Sequence, residues 1–111
     1  MRDNLSVRIG GIAANLSRIY SFSQDIGSCE EVLDLINETI HFVNWTMIDP
    51  TIECSTSHVL ADLAALLETW KRTCQSNWVD DTERLVISSA AQEWAQRILQ
   101  CSGLLNRAKP A

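Results

Sequence analysis

Residues 28–47 read SCEEVLDLINETIHFVNWTM, and the fold turns on which side of this segment meets its neighbours. Val32, Leu33, Ile36, Ile40, Val43 and Met47 recur at helical spacing. At an advance of about 100° per residue, all of them fall within about 60° of Ile36. Ser28 with Glu31 three residues on has the Ser-x-x-Glu pattern of a capping box, so a helix is expected to open there. The segment also holds Glu38-Thr39-Ile40-His41, the Glu-x-x-His half-site that di-iron bundles project inward. On the same wheel Glu38 falls about 200° and His41 about 140° from Ile36. Both are expected to face water, on the side that carries Asp34 and Trp45.

The apolar period continues outward in both directions. Upstream, Leu5, Ile9, Ile12, Leu16, Ile19 and Ile26 form one stripe, with Asp3 or Asn4 as its cap and Gly27 as its stop. Downstream, Asp49-Pro50 has the form of an N-cap followed by proline at the first helical position. The stripe that follows is Ile52, Val59, Leu60, Leu63, Leu66, Leu67, Trp70 and Cys74. Weak helix propensity over 54–57 allows a later start, capped by Ser55 or Ser57. Asp80 with Glu83 makes another capping pair, ahead of Ile87, Ala90, Ala91, Trp94, Ile98 and Cys101. Gly103 is the natural C-cap, and Leu104-Leu105 can fold back on the last turn.

These signals predict helices over 4–26, 29–47, 50–75 and 79–102. Short connections force consecutive helices to lie side by side. The expected fold is all-α, an antiparallel up-down-up-down four-helix bundle. It forms one domain over 1–105, followed by a flexible C-terminal tail over 106–111. The length of 111 residues suits a single core, and 46% hydrophobic with 21% charged residues is globular composition. The capping boxes and stripes are shared by unrelated helical proteins, so they indicate no family.

Composition also excludes functions. There are 9 basic and 14 acidic side chains, a net charge of −5, and no dense basic cluster. Nucleic acid is therefore not an expected partner, because binding it rests on cationic side chains that release counterions. The apolar run from Ile9 to Ala14 is broken by Asn15, Ser17 and Arg18. No stretch reaches the roughly 18 apolar residues of a membrane span, and no leader is read at the N-terminus. The expectation is a cytoplasmic protein without a membrane partner. In that compartment the sequons at Asn4, Asn15, Asn37 and Asn44 stay bare.

Candidate chemistry is sparse. A di-iron core needs inward carboxylates from every helix and two Glu-x-x-His motifs. This chain has one such motif and 2 His in total. A fallback metal site uses Asp34, Glu38 and His41, on neighbouring turns of one face, completed by a second copy in a dimer as a metal-binding or redox centre. Cys54 and His58 are one helical turn apart but have no Cys-x-x-Cys companion for zinc and no readable oxyanion hole. Cys29 with Cys74, and Cys54 with Cys101, share ends of the bundle. In a cytosolic setting they are expected to stay reduced. Gly10-Gly11 lacks a phosphate-loop pattern. No catalytic residue and no cofactor is assigned.

Two surface features exceed what a solitary bundle needs. The first helix has Gly10, Ala14, Ser17 and Ser21 opposite its core stripe, small residues that permit close approach of another backbone; Ala61 and Ala65 are placed similarly on the third. Of the 4 Trp, Trp70 and Trp94 belong to core stripes, whereas Trp45 lies outward and Trp78 sits in the third connection. Leu35, Phe42, Leu85 and Leu99 add apolar width. Aromatic anchors are enriched at protein interfaces. The sequence therefore points to a small non-enzymatic interaction or regulatory module that self-associates or docks on a partner protein. Its interface residues would be Gly10, Ala14, Ser17, Trp45 and Trp78. Binding of a small apolar ligand between the helices is a further option.

Overall fold

A computed structural model describes residues 4–102. It is built of helices α1 (Asn4–Phe22), α2 (Cys29–Met47), α3 (Cys54–Ser76) and α4 (Asp81–Ser102), with a short 3-10 turn, Ile26–Ser28, ahead of α2. The helices pack into a four-helix bundle around one hydrophobic core. Long-range contacts establish the directions. Arg8 near the start of α1 pairs with Asp49 just past the end of α2, Cys29 at the start of α2 bonds Cys74 near the end of α3, and Ser88 on α4 bonds Tyr20 near the end of α1. Each pair is antiparallel. The expected cap at Asp3, the Gly103 stop, Leu104-Leu105 and the tail over 106–111 lie outside the described residues.

The core stripes follow the helical period. Ile9, Ile12, Leu16 and Ile19 are buried on α1, and Val32, Ile36 and Val43 on α2. Leu60, Leu63, Leu67 and Trp70 are buried on α3, and Ile87 and Ile98 on α4. Among neighbouring helices the most extensive contact is between α1 and α4, and the least is between α3 and α4. Ala13 on α1 and Ala91 and Ala95 on α4 are buried, and such small side chains let two backbones come close.

Buried Thr39 and Thr46 extend the core face of α2 to one side of the Ile36-centred stripe. Each hydroxyl donates to the carbonyl one turn back, Thr39 to Leu35 at 2.6 Å and Thr46 to Phe42 at 2.7 Å. A threonine satisfied in this way carries no unpaired polar atom into the core. Leu33, Ile40 and Met47 are correspondingly half-buried.

The connections depart most from expectation. α1 stops at Phe22, short of Ile26, which is exposed rather than part of the core stripe. Asp25 is extended, and its carboxylate accepts from the Gly27 N–H and the Ser28 hydroxyl, both at 3.1 Å. Ser28 is turned toward Asp25 and makes no side-chain cap on α2. The third helix begins at Cys54, not at 50, behind Glu53, so neither Ser55 nor Ser57 caps it. Asp49-Pro50 builds a turn instead: the Ile52 N–H returns to the Asp49 carbonyl at 3.1 Å, with proline in the second position. The cap of the last helix is where it was expected, since Asp80 Oδ1 accepts from the Thr82 and Glu83 N–H groups at 2.9 and 3.3 Å.

Candidate functional site

The outer face shared by α1 and α2 carries an apolar ridge. Trp45 stands on it, 49% exposed, flanked by Val7 at 66% and Ile48 at 77%. Hydrophobic side chains this open contribute little to the core of their own bundle. Helical spacing explains their grouping. Trp45 lies opposite the buried stripe of α2, Ile48 follows at the C-cap, and the antiparallel start of α1 brings Val7 alongside.

Trp45 is exposed but not loose. The Arg8 guanidinium carbon lies 4.8 Å from the ring centre, a cation–π contact, and the Phe42 ring stacks at 6.3 Å between centroids. Arg8 is fixed in turn by an ion pair with Asp49, in which both side chains are largely buried. Asp49 belongs to the turn after α2 and accepts from the Thr51 N–H at 2.8 Å and the Thr51 hydroxyl at 2.5 Å. These two bonds, the hydroxyl's first, hold the Asp49 carboxyl below the usual carboxylate range, and Arg8 adds to the effect. A chain of contacts, Thr51–Asp49–Arg8–Trp45–Phe42, thus runs from a connection to the ridge.

Grooves lie on both sides of the indole. One, of about 470 Å³, is lined by Val7, Arg8, Gly11, Phe42 and Trp45. The other, of about 430 Å³, is lined by His41, Asn44, Trp45 and Ile48. A methyl group added at Gly11 would meet nothing within 4 Å. Among the described residues nothing packs closely on the open side of Gly11, although glycine inside a helix costs about 1 kcal/mol relative to alanine.

The residues singled out from sequence are distributed as follows. Trp45 lies at the centre of the ridge. Gly10 is half-buried, and Ala14 and Ser17 are exposed on α1. Trp78 is corrected from a surface anchor to a core residue. It is 6% exposed, because its Nε1–H donates to the Ile26 carbonyl at 2.7 Å and Arg84 stacks on its ring. Trp94 is only half-buried and carries Arg97 across its face at 4.2 Å.

Asp34, Glu38 and His41 are all exposed. The Glu38 carboxylate accepts from buried Asn15 at 3.0 Å, and the Asn15 carbonyl oxygen accepts from Arg18 at 3.3 Å. Glu38 is therefore engaged in an α1–α2 tie. Among the described residues no three His, Cys, Asp or Glu side chains gather into a ligand set. No helix among them is long and apolar enough to cross a membrane.

Cys54 is exposed at the start of α3. Cys29 Sγ donates to the Cys74 carbonyl at 3.3 Å. Burial pushes the Cys74 thiol up to about 12, with Cys29 contributing. Burial, then Glu30 and Glu31, raises Cys29 as well. Both stay protonated near neutral pH, the unreactive state of a thiol.

Arg8, Asp49 and Thr51 were not legible as site residues. The only signal was Asp49-Pro50-Thr51 itself, which a helix start and a turn share. No family model, curated protein or solved structure matches this chain.

Proposed function

We propose that this chain is a small protein-interaction module that self-associates through the α1–α2 ridge, with Trp45 as the central anchor and no chemistry of its own. The observation that carries this reading is a half-exposed indole held by Arg8 and Phe42 between two grooves. An anchor already held in place loses little conformational freedom on binding, which is how rigid aromatic side chains come to dominate interfaces. Gly11 supports the same reading, since open space in front of a helical glycine admits a side chain from outside. A second copy is the favoured occupant. Ridge and grooves lie on one face, so each copy offers both an anchor and a recess to its mate about a two-fold axis, where the same patch serves both subunits.

The reading is tested by dilution of 15N-labelled protein, following the indole N–H signals. The Trp45 signal moves with concentration while that of buried Trp78 stays fixed. Concentration-independent signals for both would refute self-association through this face.

A further inference from the structure

A third hollow, of about 580 Å³ and different in character, lies between the end of α1 and the beginning of α4. Ser23, Arg84 and Ser88 line it, with Tyr20 and Leu85 as apolar walls. Ser23 is 1% exposed and its hydroxyl has no hydrogen-bond partner among the described residues. Arg84 is 9% exposed; its Nη1 donates to the Trp78 carbonyl at 2.8 Å and its Nη2 to the Asp81 carboxylate, but its Nε–H is buried without an acceptor among the described residues. Ser88 is already spent on the Tyr20 carbonyl at 3.1 Å. Buried donors left unmade cost free energy and are uncommon in folded proteins. Here the two side chains that carry them line one cavity, and neither serves the ridge on the α1–α2 face.

What both lack is an acceptor. Nε–H and one Nη2–H project from the same edge of a guanidinium, a spacing that matches the two oxygens of a carboxylate. Asp81 uses only Nη2 in this structure, and its side chain is 80% exposed, so it is a solvated and exchangeable partner. Among the described residues Arg84 is the one cation lining the cavity and Asp81 the one anion. That balance admits a monoanion that displaces Asp81 from Arg84 and disfavours a dianion such as phosphate. Tyr20 and Leu85 accommodate a short hydrocarbon body, and the amides of Gln24 and Gln92 a second polar group.

We infer that this cavity binds a small monocarboxylic acid, its carboxylate taking Arg84 Nε and Nη2 together with the Ser23 hydroxyl. The test is a titration of 15N-labelled protein with butyrate or benzoate, reading the Arg84 Nε–H signal, with butyramide and inorganic phosphate as controls. A saturable shift is expected with the carboxylates, and binding at least about tenfold weaker for both controls, since the charge-assisted fork is lost or opposed. Ser23→Ala weakens carboxylate binding about tenfold while leaving the rest of the spectrum intact. Asp81→Asn strengthens it, because the internal competitor is removed; a purely structural Arg84 would show no such gain. The inference is overturned by the absence of a saturable shift, by phosphate binding as tightly as butyrate, or by Ser23→Ala and Asp81→Asn both leaving the affinity unchanged.

Discussion

The guanidinium of Arg8 lies 4.8 Å from the centre of the Trp45 ring and is ion-paired behind it to Asp49. One side chain thereby couples an anchored turn to an exposed aromatic. Arg8→Ala is expected to cost about 1 kcal/mol in urea unfolding, the scale of a partly shielded cation–π contact with its ion pair. In a double-mutant cycle the Arg8→Ala and Trp45→Ala losses should fall short of additivity by about 0.5–1 kcal/mol. Strict additivity would mean that the two side chains do not support one another.

Asp49 supplies a pH signature. Its folded carboxyl is held low, chiefly by the Thr51 hydroxyl. The sign follows from linkage: a depressed folded value adds stability above the unfolded value of about 3.9 and loses it as pH falls through the folded value. The carboxyl resonance of Asp49 should titrate below the ordinary range. Thr51→Val, which removes the hydroxyl bond and keeps the backbone one, should move that titration upward. An unchanged midpoint in the variant would separate Thr51 from the carboxyl.

Thr39 is fully enclosed, yet its hydroxyl bonds only within its own helix. The Leu35 carbonyl is also placed to accept the helical N–H, so Thr39→Val orphans no group and adds a buried methyl. Its expected effect on unfolding free energy lies within about 1 kcal/mol of zero. The same exchange at Thr46 should behave alike. A loss above about 2 kcal/mol would reveal a partner beyond the helix.

The apolar period of α2 was legible because burial on a helix repeats with the backbone, and Val32, Ile36 and Val43 occupy the expected face. The outward direction of Glu38 and His41 followed from the same wheel. Thr39 and Thr46 were not legible as core, since their polarity is cancelled by carbonyls of the helix itself. Trp78 was misplaced because the acceptor that draws it inward, the Ile26 carbonyl, is remote in sequence. Ile26 left the core stripe for a related reason: Asp25 bends the chain into a 3-10 turn before the helical period reaches it. Asp49-Pro50 carries one signal with two outcomes, a helix start or a turn, and the hydroxyl of Thr51 and the guanidinium of Arg8 stabilise the turn. Trp45 was marked as outward from its wheel position, but the grip of Arg8 and Phe42 that turns an exposed indole into a fixed anchor is a tertiary property.

The most direct test of the α1–α2 ridge as a self-association surface is molecular mass by sedimentation equilibrium, over a range of concentrations, for the wild type and for Trp45→Ala. The wild type should shift from monomer toward twice its 12.4 kDa mass as concentration rises. The variant, still helical, should need at least about tenfold more protein to do so, the loss expected from truncating an interface anchor. A wild type that stays monomeric throughout, or a variant that dimerises as readily, would contradict the assignment.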